Sequence, residues 1–205
     1  MTNFKTNIYK QDLPDNLKLG KVIAIDSETL GLNNQRDRLC LVQLKDESDN
    51  VHLVQFSKDN YDAPNLKKLL LDKNILKIFH YGRFDIAVFY KYLNVMTNNI
   101  YCTKIASKLA RTYTSSHGYK DICAELIGVD ISKQQQCSYW GNDELSQAQI
   151  NYASTDVIHL HALKAKLDEM LKREGRTDLL QPCFEFLPHR VLLDLKGWDK
   201  DIFSH

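Results

Sequence analysis

Over roughly the first hundred residues the chain alternates short apolar runs with polar breaks, and then it changes to a helical rhythm. Val22-Ile23-Ala24-Ile25, within "VIAIDSETL", predicts a strand over 21–27, and "LCLVQL" and "VHLVQF" predict strands over 39–44 and 51–56. Short runs rich in Val, Ile and Leu between turn formers suit strands buried in a sheet. The breaks "GLNNQRD" and "KDESDN" are tight enough to predict an antiparallel meander. Pro64 opens a short helix running to Leu71, where its missing N–H costs nothing. "ILKIFH" predicts another strand over 75–80, and Gly82 marks the break before a helix from Arg83 to Leu93.

From Tyr101 onward, "TKIASKLAR" and "YKDICAELIG" read as short amphipathic helices, the second stopped by Gly128. Ser146 and Gln149 make a capping box. Apolar or small residues follow at Ala153, Val157, Leu160, Leu163, Leu167 and Met170, which predicts one helix through the whole stretch. A last helix is expected after Pro188, in "HRVLLDLKGW". With no internal repeat and no low-complexity linker, residues 1–205 are expected to form a single α/β domain, a mixed sheet followed by helices.

Composition narrows the class. Of 205 residues, 43% are hydrophobic and 26% charged, with 8 Gly and 4 Pro, which argues against disorder, collagen and repeat arrays. Lys and Arg number 27 against 26 Asp and Glu. That balance argues against a long footprint on duplex nucleic acid but leaves room for a short nucleic-acid ligand. No run approaches the ~20 apolar residues of a membrane helix, and the N-terminus has no apolar signal core. Five scattered cysteines without a C-x-x-C pair suit reduced thiols rather than a disulfide framework or zinc site. A cytoplasmic protein without membrane association is expected.

The chemistry lies in the carboxylates. Asp26 and Glu28 are two apart on a strand and so project from one face. Two such charges beside a core repel one another and lose solvation unless a cation sits between them; taken alone, the pair also fits a solvated strand end. Asp85 opens the helix after "KIFH", where a first-turn Asp is favourable in any case. Tyr152 and Asp156, four apart, share a helix face, and Asp is a poor interior helix residue.

In their order, "IDSETLGL", "HYGRFDIAVF" and "NYASTD" resemble the three motifs of the DEDD exonucleases, in the Tyr-containing branch that includes ribonuclease D. "RLCLVQL", "KIASKLA", "YKDICAELIGVDISK" and "ELSQAQINYASTD" extend the likeness over about residues 20 to 170. The resemblance implies a ribonuclease H-like fold and a metal-dependent 3′–5′ exonuclease using two divalent ions, Mg2+ or Mn2+. Asp26, Glu28, Asp85 and Asp156 would hold the ions, with Asp26 bridging both. Glu28 would also receive the terminal 3′-hydroxyl, and Tyr152 would orient the attacking water. Hard divalent ions prefer carboxylate oxygens, so the residue types suit that chemistry independently.

Within that branch the chain is most similar to the nano-RNase C family, stand-alone enzymes that degrade dinucleotides as ring-like homo-octamers. About 35 residues follow Met170, too few for the further helical domains of ribonuclease D. Short RNA substrates are the implied partners. Leu32 stands where relatives insert a leucine wedge between bases, with Leu30 the competing candidate. His80 and Arg83 flank the Asp85 motif and can donate to phosphate; Arg111 and Tyr113 have no assigned place. His159, His161 and Trp140 are expected to be structural, and Trp198 to lie in a subunit contact. Tyr139 stands where ribonuclease D carries an acidic residue, so no role is transferred there. Ser27 replaces a threonine common in relatives and, by strand alternation, is expected to point away from the metals. Two other readings stay open: an exonuclease trimming longer RNA or DNA ends, and a non-catalytic nucleic-acid-binding module.

Overall fold

A computed structural model describes residues 4–132, 135, 137–198, 200, 202 and 203. The segment "SKQQQCSYW", likened above to ribonuclease D, therefore falls partly outside the described residues, at 133, 134 and 136. The first half forms a six-stranded sheet. Its strands are β1 (Lys5–Lys10), β2 (Val22–Thr29), β3 (Leu39–Lys45), β4 (Asn50–Gln55), β5 (Leu76–Phe79) and β6 (Ile100–Cys102), in spatial order β1-β4-β3-β2-β5-β6. The expected meander is present, because β3 runs antiparallel to both β2 and β4. The outer pairs β1–β4, β2–β5 and β5–β6 are parallel. Every residue of β3 is buried, as its unbroken apolar run requires.

Two strands went unpredicted. β1, "KTNIYK", is an edge strand with mixed polarity and little burial, and β6 has only three residues. Neither carries enough periodicity to be read.

Helices α1 (Pro64–Leu71), α2 (Arg83–Leu93), α3 (Thr103–Ala110) and α4 (Tyr119–Ile127) lie where expected. The helix predicted from Ser146 to Met170 is instead two, α5 (Gln147–Ile158) and α6 (Leu160–Arg173), meeting at His159. The Ser146–Gln149 capping box is formed. α5 packs across β2, β3 and β4, whereas α6 turns toward α3, α4 and β5. A straight helix of this length could not follow both surfaces. On α6, the His161 Nε2 reaches the Val22 carbonyl at 3.1 Å, tying the bend to the start of β2.

The last helix, α7 (Thr177–Leu195), begins eleven residues before Pro188 and contains Pro182 and Pro188. An interior proline costs about 3 kcal/mol, which is why the sequence suggested a later start. Leu180, Phe184, Leu187 and Val191, spaced four, three and four apart, are all buried and outweigh that cost. Among the described residues no helix is long and apolar enough to cross a membrane.

Candidate active site

The site follows from where β5 stops. Pairing of β2 with β5 runs only from Val22 to Ala24, whereas pairing with β3 continues to Thr29. The last residues of β2 are thus open on one side, in the crevice beyond the carboxyl ends of two parallel strands, a usual place for ligands in such sheets. Asp26 and Glu28 project there from one face of β2, and α5 crosses that face carrying Asp156. Single carboxylate oxygens of Asp26, Glu28 and Asp156 all lie within 4.8 Å of one another.

Asp85 arrives from the other side. After β5 the chain turns sharply through Tyr81, held at φ 66°, and Gly82. A Cβ at Gly82 would lie 2.8 Å from that of Phe79, so only glycine lets the chain double back this tightly. α2 starts immediately, and Asp85 in its first turn is 2% exposed. Its Oδ1 accepts a hydrogen bond from Ser27 Oγ at 2.6 Å. Ser27 lies on the opposite face of β2 from Asp26 and Glu28, as strand alternation predicts, and there it meets Asp85.

Packing four carboxyls together has an electrostatic consequence. Burial first, and then the charges of Asp85, Asp156 and Glu28, hold the Asp26 carboxyl well above the usual range. Glu28 is raised well above it by burial and then by Asp156 and Asp85. Burial pushes Asp85 up to about 7 against the pull of the Ser27 hydrogen bonds. Asp156 also rises to about 7, through burial and the Asp85 charge, opposed by the Tyr152 hydroxyl. Tyr152 is raised in turn by burial and by Asp156, Glu28 and Asp26. Asp156 Oδ2 is buried with no hydrogen-bond partner. Oxygen donors only, mutual repulsion and an orphaned carboxylate oxygen together fit a hard divalent cation.

The carboxylates line one wall of a cavity of about 740 Å3. Leu30 and Leu32 stand at its edge, and Leu32 is 87% exposed. Their loop is pinned by Asp37, whose Oδ2 accepts the Asn33 N–H at 2.9 Å. A Cβ at Gly31 would lie 2.3 Å from that oxygen, so a larger residue here would displace the Asp37 carboxylate. Tyr81, Lys104, Tyr119 and Lys120 also line the cavity, and the Lys104 ammonium lies 4.3 Å from the Tyr81 ring centre. The segments likened to ribonuclease D contain these four but gave them no role. The one local signal was the "HYG" turn, whose tightness forces Tyr81 outward.

The other expected residues separate cleanly. His80 lines the cavity, but burial and then Lys104 push it down to about 3, so it is neutral. Thr103 donates to the Phe79 carbonyl at 3.0 Å, so its oxygen must accept from His80 Nδ1 at 2.9 Å. The Nε2 of that tautomer is an acceptor, which does not suit the phosphate-donor role expected of it. Arg83 is not brought into the cavity wall: its Nε and Nη2 each lie 2.5 Å from an oxygen of Asp194 on α7. Arg111 is fully buried and pairs with Glu125, and Tyr113 donates to the same carboxylate at 2.5 Å. Trp140 is buried 6.1 Å from the Tyr152 ring, as a packing anchor should be.

Comparison with known proteins bears on this arrangement. A family model described as 3′–5′ exonuclease matches residues 1–172. The structure of Brucella melitensis NrnC bound to pGG is 50% identical, with a TM-score of 0.93, covering 99% of this chain and 100% of that one. The structure of the same NrnC with bound Mg2+ is 49% identical, with a TM-score of 0.92, covering 98% and 100%. Ribonuclease D of Gluconacetobacter diazotrophicus is 34% identical over 164 residues, which are 80% of this chain and 41% of that protein. The chain thus spans less than half the length of the ribonuclease D relatives it matches. From the model match and these likenesses, the chain belongs to the 3′–5′ exonuclease family.

Proposed function

We propose that this protein is a divalent-metal-dependent 3′–5′ exoribonuclease that hydrolyses dinucleotides and other very short oligoribonucleotides to 5′-mononucleotides. The observation that carries this reading is the convergence of four carboxylates on a cavity of small-molecule size, in a chain alike over its length to a pGG-bound nuclease. Asp26, Glu28, Asp85 and Asp156 hold the ions. Mg2+, the ion in one NrnC structure, and Mn2+ both suit these oxygen ligands. When bound, two such ions supply positive charge that activates a water and neutralises the charge developing on the phosphate.

The chain's own residues do the rest. Tyr152 keeps its proton, because burial and acidic neighbours oppose ionisation, so its hydroxyl orients the attacking water without serving as the base. Glu28 receives the terminal 3′-hydroxyl of the RNA. Leu32, bare at the cavity edge, inserts between the two bases. His80 offers Nε2 as an acceptor to a substrate hydroxyl or N–H. Residues 1–205 work as one exonuclease domain within a cytoplasmic homo-octamer. Five free cysteines support a reducing compartment. Exposed Leu179, Trp198 and Phe203, on α7 and just after it, support assembly through that surface.

A time course on 5′-labelled RNAs of two to about ten nucleotides, with Mg2+ or Mn2+, tests this. Disappearance of the dinucleotide far faster than longer RNAs is expected. Stepwise shortening of longer RNAs while dinucleotide accumulates would replace this reading with end-trimming. No metal-dependent cleavage at any length would leave a binding module.

A further inference from the structure

Asp85 differs from the other three carboxylates in how it is held. Asp26 and Glu28 are carried by β2 and Asp156 by α5, whereas Asp85 hangs from the first turn of α2. Nothing in the β5–α2 turn ties that helix end to β2, since the N-cap is Gly82 and makes no side-chain hydrogen bond. The tie is Ser27. Strand alternation sends its side chain to the face opposite Asp26 and Glu28, toward α2, where its hydroxyl meets Asp85 Oδ1 at 2.6 Å. That bond links β2 directly to the first turn of α2.

We propose that Ser27 is a positioning residue for metal binding: its hydroxyl occupies one oxygen of Asp85 and presents the other toward Asp26, Glu28 and Asp156. The inference rests on the reading of these four carboxylates as the metal ligands. Groups that hydrogen-bond to ligands typically change metal affinity or activity by 10–100-fold when removed, because the ligand then samples other rotamers. Ser27 is buried beneath the cavity wall and its hydroxyl is engaged by Asp85, so its removal should act on the metal and on turnover more than on substrate capture. A threonine at this position keeps the hydroxyl and suits a strand; an alanine does not keep it.

The test is calorimetric titration of Mn2+ into the metal-free full chain, without RNA, for the wild type, Ser27→Ala, Ser27→Thr and Asp85→Asn. Ser27→Ala is expected to weaken Mn2+ binding by about 10-fold or more, and to lower kcat on a dinucleotide with little change in KM. Ser27→Thr is expected to restore both. Wild-type Mn2+ affinity in Ser27→Ala would overturn the proposal, and so would equal losses in the alanine and threonine variants, which would indicate packing alone. Asp85→Asn separates the two levels. If it leaves Mn2+ binding intact, the ligand assignment itself fails; if it weakens binding while Ser27→Ala does not, only the role of Ser27 falls.

Discussion

Two sites of buried charge, the Arg111 guanidinium and the carboxylates beyond β2, meet the cost of burial in opposite ways. Around Arg111 that cost is met internally. The guanidinium spans Glu125 with Nε at 3.2 Å and with Nη2, and Nη1 reaches Ser107 Oγ at 3.0 Å and the Ser116 carbonyl at 2.7 Å. Glu125 is accordingly lowered, chiefly by the Arg111 hydrogen bond. At the crevice beyond β2, four carboxyls stand together and, among the described residues, none is in an ion pair. Their affinity for protons is raised, not lowered. A buried guanidinium whose hydrogen bonds are complete holds its loop in place. A buried cluster that lacks its counter-charge is built for something that arrives from outside.

The largest expected effect is on the incomplete cluster. Asp156→Asn should reduce kcat/KM on a dinucleotide by on the order of 10^4-fold, while raising the melting temperature of the metal-free protein, because one member of the repulsive set is gone. Enzyme assay and calorimetry on the same preparation check both signs. A stabilised but active variant would break the comparison.

Next comes the complete cluster. Arg111→Met strips Ser107 Oγ and the Ser116 carbonyl of a buried donor and should cost about 1–3 kcal/mol of stability, while Glu125, 43% exposed, stays solvated. Urea unfolding measures it, and activity per folded molecule should stay near wild type.

The pH response of the metal-free protein should be smaller. Asp85 and Asp156 lie at about 7 in the fold, against about 3.9 when unfolded. Between those values the native state binds more protons than the unfolded chain, so stability falls as pH rises from about 4 to about 7. Buried His80, held down to about 3, contributes the opposite slope below about pH 6.5, so the signature is a difference. From pH 5 to pH 8 the melting temperature should fall more, or rise less, in the wild type than in Asp156→Asn, by on the order of 5 °C, with the difference removed by saturating Mg2+. Identical pH dependence in the two metal-free proteins would contradict the electrostatic account.

The smallest effect is at the cavity edge. Leu32→Ala removes an apolar contact worth about 1.4 kcal/mol, roughly tenfold, and should raise KM for the dinucleotide more than for longer RNAs. Steady-state kinetics on both lengths would sharpen where the substrate meets the protein.

What could be read from the chain follows the range of each interaction. The Ser146–Gln149 box, Pro64 at the start of α1 and the span of α2 depend on neighbours a few residues apart, and all were legible. The set Asp26, Glu28, Asp85, Tyr152 and Asp156 was picked out by the resemblance of its motifs, not by residue type or spacing alone, and the fold brings all five to one cavity. Arg83 was misjudged because its partner, Asp194, lies 111 residues away on a helix that the prolines of α7 disguised. Ser27 takes the face that alternation predicts; that α2 brings Asp85 to that face was not legible. The bend at His159 follows from α5 packing on β2, β3 and β4 and α6 on α3 and α4, contacts that no local pattern encodes.

The most direct test of the contrast is the binding of Mn2+ to the metal-free full chain at pH 7.5, followed by electron paramagnetic resonance, with Asp156→Asn and Glu125→Gln as the paired variants. The account predicts bound Mn2+ in the wild type, its loss or severe weakening in Asp156→Asn, and retention in Glu125→Gln. Equal binding by wild type and Asp156→Asn, or no binding by either, would contradict the claim that the unpaired carboxylates form a cation site.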